Sequence, residues 1–362
     1  MVLQSDDWGR AGLRDRGALD QLRAEEPAFG ERPYDFYTLE TADDLAALRE
    51  VLGRHRDSSG QPARLVMNFI LANLDFARMR AEEFRQIHLL PLTAGIPEGW
   101  IRPGLFQAYR DGIAAGIFRP ALHGMTHFSR AAVERNLADA SGRTALLTFL
   151  WRAGVSYIHW RMPWIGYEYW DPELPEDERF LSFESQCRSI GEAVGEFAKL
   201  FSTLPRSACA PGYRANKDTD KAWAQYGVRV VQNGPGTLTP PHFGPNGLLH
   251  LYRTVEFEPA TDAGFSIDDC RRRAKDCFAL GIPAIVSLHS INFHSSVRDF
   301  RSRSLELLDQ FLSALQMDHP DLLYLDDEDL YDLVGPDAHA KSRGDLNVKV
   351  TKKNFTKIRV AS

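Results

Sequence analysis

VLQSDDWG, residues 2–9, is the stretch on which the reading of the fold turns. Val2, Leu3, Gln4 and Ser5 have the length and character of a short β-strand, and the strand runs straight into two adjacent carboxylates, Asp6 and Asp7. Like charges side by side repel, and the nearest basic residue is Arg10. A strand closing on paired acids is stable where a positive partner, such as a bound dication, is brought to them. Outward from it, apolar runs recur at Arg64–Phe69, Pro120–His123, Ser207–Ala210, Val228–Gln232, Leu249–Val255 and Ala284–His289. Amphipathic helical stretches lie between them, among them Ala42–Arg54, Phe183–Phe201, Ile267–Leu280 and Ser302–Met317. Such alternation marks parallel βαβ units. About seven of them in one chain point to an α/β barrel-like fold, whose chemistry sits where strands end.

The 362 residues suffice for one large domain or two small ones, and the composition, 44% hydrophobic and 25% charged, is that of an ordinary globular protein. A net charge of −6 argues against a nucleic-acid or anionic-membrane partner. No apolar run has the length of a membrane span. The first residues lack a basic region followed by an apolar core, so a cytoplasmic protein is expected. Cys187, Cys209, Cys270 and Cys277 form no CxxC pair and read as reduced, mostly buried thiols. The barrel is expected to occupy residues 1–334. A further apolar run, Val155–Trp160, reads as a strand or as part of an aromatic insertion near 155–180. Residues Trp160–Pro175 are too rich in aromatics and prolines for a regular element and read as a loop over the active face. Residues 335–362 form a basic C-terminal extension.

The polar groups at the strand ends carry the functional reading. Strand one ends on Asp6 and Asp7, with Trp8 beside them; strand two ends near Asn68. Strand three runs into HGMTH, with His123 and His127. A middle strand runs into APGYR, with Tyr213 and Arg214, and the last into SLHSINF, with His289 and Asn292. In a parallel barrel these ends meet on one face. Histidines four apart can aim both rings at one point, and two His with one carboxylate form an N,N,O set for a divalent metal with positions left open. Zn2+ suits it, and Co2+, Ni2+, Fe2+ and Mn2+ are compatible. Alone, an HxxxH pair is more often a surface or capping pair; the doubled acid on another strand end reverses that. One acid can ligate while its neighbour serves as general base. His289, at the mouth after a buried run, can donate a proton to a leaving group. The backbone N–H groups of Gly212 and Tyr213 can face a developing oxyanion, and Arg214 can orient an acid.

These motifs resemble the metal-dependent polysaccharide deacetylases, also called the NodB-homology deacetylases. The resemblance spans residues 2–334 and follows SDD (Ser5–Asp7), HGMTH (His123–His127), APGYR (Ala210–Arg214) and SLHS (Ser287–Ser290) in order. NLDF (Asn73–Phe76) and FEPA (Phe257–Ala260) resemble a bacterial subgroup of presumptive polysaccharide deacetylases. The resemblance implies a distorted (β/α)7 barrel that hydrolyses N- or O-acetyl groups on a carbohydrate. It implies Asp6 as general base, Asp7, His123 and His127 as metal ligands, and His289 as general acid. One departure is that the family's middle loop runs Arg-Pro-Pro-Tyr, whereas here Pro-Gly-Tyr-Arg stands.

Two rival functions fit the same residues: hydrolysis of a small acylated molecule by the same chemistry, and a carbohydrate-binding barrel without catalysis. A groove lined by Trp160, Trp164, Tyr167 and Trp170 would favour sugar stacking. A two-carboxylate glycosidase using Glu256 and Glu258 is disfavoured, because both lie on one strand with no partner across a cleft.

Overall fold

The computed structural model describes residues 1–139, 142–236 and 238–335. The eight principal strands are β1 (Val2–Trp8), β2 (Leu65–Ile70), β3 (Phe118–Gly124), β4 (Ser207–Cys209), β5 (Val230–Asn233), β6 (Leu249–Tyr252), β7 (Val255–Glu256) and β8 (Ile285–His289). They run parallel in the order β7-β8-β1-β2-β3-β4-β5-β6, with a short antiparallel strand, His242–Phe243, on the edge of β6. The expected single strand Leu249–Val255 is split. Its first half pairs with β5 and its second with β8, the changeover falling at Arg253 and Thr254. This one stretch therefore joins the two edges of the curled sheet. Counted as one strand it makes seven, a distorted α/β barrel.

Helices Ala42–Arg54, Leu105–Ala114, Phe183–Phe201, Lys217–Gln225, Ile267–Ala279 and Arg301–Asp318 follow successive strands. The longest, Phe183–Phe201, buries Ile190, Ala193, Val194 and Phe197 at helical spacing. Thr41 caps Ala42–Arg54 through a reciprocal bond with Asp44, a device worth about 1 kcal/mol. Val155–Trp160 is not a strand. Only Val155 pairs, in an isolated bridge with Leu13, and a short helical turn begins at His159. All four cysteines are free, and Cys209, Cys270 and Cys277 are buried. Among the described residues no helix is long and apolar enough to cross a membrane. Apart from Gly335, the extension expected at 335–362 lies outside the described residues.

Period-two alternation sets the barrel interior in layers. Val2, Val66, Ala121, Val230, Leu249, Leu251 and Ile285 form an apolar layer at the base, closed by Leu330 from the helix Asp327–Val334. One step up the strands the layer turns polar. Gln4 donates to Asp327, and Gln232 exchanges bonds with Asn68. One further step brings Asp6 to the mouth, in register with His289 across β1 and β8.

Candidate metal centre

The doubled acid of β1 is placed by a break in the strand. Asp7 has φ +73°, left-handed backbone that an L-residue adopts only where its surroundings hold it there. The β1–β2 register shifts between Ser5 and Trp8. The neighbouring backbone is tied down on every side. Tyr37 donates its hydroxyl to the Asp7 carbonyl at 2.6 Å, and Asn73 donates to the Gly9 carbonyl and accepts from Ala11 N–H. Glu40 accepts from Gly9 N–H at 2.8 Å. Adjacent strand residues would face opposite ways, and this turn brings the Asp7 carboxylate to the same mouth as Asp6.

Asp7 Oδ1 lies 3.2 Å from Nε2 of His127 and 3.7 Å from Nε2 of His123, and it has no hydrogen-bond partner. His123 Nδ1 is 2.8 Å from the Cys209 carbonyl, which draws the ring proton to that nitrogen and leaves Nε2 as a lone pair. The HGMTH loop is shaped from behind by Glu168, whose carboxylate accepts from Met125 N–H at 3.0 Å. Gly124 has φ +149°, backbone that other L-residues rarely adopt, and a Cβ there would meet the Glu168 carboxylate. Burial lowers the pKa of both histidines, keeping their rings neutral. Three ligand atoms within 4.8 Å of one another, one an orphaned buried carboxylate oxygen, fit a divalent ion. A second group, Asp6, His123 and Cys209, also lies within that distance. Its thiol is pushed well up by burial, and Asp6 is already engaged, so it suits an ion less.

Asp6 lies at the centre of a buried network. Arg253, fully enclosed, donates Nη2 to Oδ1 at 2.6 Å and Nη1 to Oδ2 at 2.8 Å; Asn68 donates to Oδ1 at 2.7 Å. Burial alone would raise the carboxyl's pKa. Arg253, with His123 and His289 nearby, outweighs it and holds the group well below the usual carboxylate range. His289 is the counterpart. Its Nε2 is 3.9 Å from Asp6 Oδ2, and its Nδ1 is 2.7 Å from Glu258 Oε1. Burial would lower this imidazole; the Glu258 charge and hydrogen bond outweigh it and raise it to about 9.

Several expected contributors stand elsewhere. Arg214 does not orient an acid; it is exposed, its guanidinium 4.6 Å from the Trp170 ring, and Arg253 takes the role. The Tyr213 N–H donates to the Ala210 carbonyl at 2.8 Å, so it does not face an oxyanion; the Tyr213 hydroxyl instead accepts from Arg253. Trp8 is wholly buried against Phe293 and lines no substrate groove. Asn68 and Asn292 are buried supports, the latter bridging Glu258 Oε2 and Ala260 N–H. Trp164 is buried with Arg143 over its ring, and Arg32 and Arg161 cover Trp160. The four aromatics therefore form no open groove. Tyr167 stacks on His159 at 4.4 Å and meets His127 edge-on, with Trp170 beyond it. Glu256 is exposed, whereas Glu258 belongs to His289. Arg253 was within reach of the sequence: it shares parity with Leu249 and Leu251 and so points inward.

No family model matches this chain, and no curated protein matches it. Among solved structures it is similar to a presumptive polysaccharide deacetylase from Mycobacterium smegmatis, with 12% identity over 92% of this chain and 90% of that one and a TM-score of 0.46. Puue allantoinase shares 13% identity over 92% and 91%, with a TM-score of 0.45. A family 4 carbohydrate esterase from Streptomyces lividans, in complex with acetate, shares 12% over 88% of each chain, with a TM-score of 0.35. The chemistry rests on this chain's own side chains.

Proposed function

We propose that the chain is a metal-dependent hydrolase that removes an acetyl group from the nitrogen or oxygen of a carbohydrate. One observation carries the reading: the unpartnered Asp7 Oδ1 faces Nε2 of both His123 and His127, directly beside the Asp6–His289 pair. Asp7, His123 and His127 would hold the ion, zinc first. When bound it supplies a Lewis acid and an acidified water.

The remaining roles belong to the chain. Asp6 takes the proton of the attacking water through Oδ2, the oxygen that faces His289. Held so far down in pKa, Asp6 is a weak base, matched to a water whose own acidity has been raised. His289 carries its proton at neutral pH and delivers it from Nε2 to the departing amine or alcohol, while Glu258 holds Nδ1. Neighbouring groups driven apart in pKa, one down and one up, mark a base and an acid. Arg253 and Asn68 fix Asp6 in position. Half-buried Tyr167 and Trp170 stand beside the site, the first stacked on His159 and the second under Arg214.

The test is metal content and acetate release from chitin oligomers, acetylated xylan and N-acetyl sugars. One divalent ion per chain with acetate released supports the reading; neither of them refutes it. Asp6→Asn is expected to abolish turnover with the metal retained, and His127→Ala to lose both. Loss of the metal in Asp6→Asn would reverse the roles of the two acids.

A further inference from the structure

The aromatic insertion after β3 is fastened to the barrel face at both of its flanks. Toward the loop after β1, Val155 bridges to Leu13, Ser156 N–H donates to the Gly12 carbonyl at 3.2 Å, and Arg14 N–H donates to the Gly154 carbonyl at 2.9 Å. Side chains continue the join. Trp160 Nε1 and Arg161 Nε both donate to Asp35 Oδ1, at 3.0 and 3.1 Å. Asp35 is 1% exposed, so salt and water screen this pair little. Toward the loop after β4, the Tyr167 ring lies where a Cβ on Gly212 would fall, and Arg214 covers Trp170.

Between these fastenings the insertion stands as a wall beside the metal centre. Tyr157 stacks on His127 at 6.4 Å, and Tyr167 meets the same ring edge-on at 5.6 Å. Exposure follows the wall. The side chains of Asp7 and His127 are 3% and 10% exposed. That of His289, three strands round the barrel from β3, is 24% exposed. The mouth is therefore closed from the loop after β1 to the loop after β4, and it opens on the side of the acid that meets the leaving group.

A polymer bound at an internal unit has to run in on one side and out on another. Enzymes that use one draw on the binding energy of remote sugars, so kcat/KM climbs with chain length. Here the way out is walled, and the aromatics that could carry remote sugars are covered: Trp160 by Arg32 and Arg161, Trp164 by Arg143, Trp170 by Arg214.

We infer that the site takes a single acylated sugar unit, free or at the end of a short chain, and that the insertion wall excludes the internal units of a polymer. The inference rests on the deacetylase reading above and narrows its substrate.

The experiment offers the metal-loaded protein N-acetylglucosamine oligomers and O-acetylated xylose oligomers of one to six units. Acetate release is measured for each length, and mass spectrometry locates the unit that has lost its acetyl group. In the wild type, kcat/KM is expected to stay within about threefold from two units to six, with only the end unit deacetylated. Trp170→Ala combined with Arg214→Ala opens the join with the loop after β4 and touches no ligand, acid or base. It is expected to keep the two-unit rate and to raise the six-unit to two-unit ratio beyond about threefold. A wild-type kcat/KM that climbs further than that, or acetyl groups lost from internal units, overturns the inference and leaves the deacetylase reading standing. So does a folded double variant whose chain-length dependence stays flat. If the double variant fails to fold, Tyr167→Ala takes its place, and the position of the deacetylated unit in the wild type decides independently. Zinc bound with no acetate released from any oligomer removes the deacetylase reading, and this inference with it.

Discussion

Val2, Gln4 and Asp6 lie on one face of one strand and pass from an apolar layer at the barrel base to a charged one at its mouth. At the base Val2 packs among Val66, Val230, Leu249 and Ile285 beneath Leu330, where burial alone is stabilising. At the mouth the same backbone delivers Asp6 into a clasp of Arg253 and Asn68, and next to it Asp7 Oδ1, facing Nε2 of His127, is buried with no partner. An orphaned buried polar atom costs stability, and it is retained where a ligand can supply what the protein withholds. The base is built to be stable and the mouth to bind.

That contrast can be broken from either end. Asp6→Asn should have the largest effect, a fall in kcat of about 10³-fold or more in an acetate-release assay, with metal content unchanged. Leu249→Ala in the base should destabilise by about 2–5 kcal/mol in denaturant unfolding, with zinc affinity unmoved. A loss of zinc binding in that variant would show that the two layers are not independent.

His289 sharpens the contrast through pH. Its folded pKa is raised from 6.5 to about 9, so its pairing with Glu258 contributes fully below about 6.5 and is lost as pH rises through about 9. Unfolding of the metal-free protein should show a decline in stability of at most about 3 kcal/mol across that window, and His289→Gln should flatten it. The smallest effect on stability is expected at His127. His127→Leu should leave metal-free stability unchanged or raise it by about 1 kcal/mol while abolishing zinc binding, the reverse of Leu249→Ala.

Much of the fold was legible in the sequence because its signals are local. Ala42–Arg54 and Phe183–Phe201 were readable to the residue from helical periodicity and, in the first, acids near the start. Asp7, His123 and His127 could be singled out because each follows a strand-like run, and parallel strands share one direction. Arg214 was read as the orienting arginine because it neighbours the expected loop, yet the guanidinium on Asp6 comes from Arg253, 247 residues away in sequence. The pair meets only because β6 and β7 switch partners at that residue. Glu258 was weighed as half of a carboxylate pair, and its bond to His289 depends on the register of the last strand.

By itself the sequence determined the succession of elements, the parity of the inward-facing residues and the polar character of the strand ends, since these follow from periodicity and from which atoms each residue carries. Only the tertiary structure decided which charge neutralises which. Pairing depends on distances of a few ångströms between strands far apart in the chain, and on a single left-handed residue, Asp7, that turns two neighbouring acids toward one site.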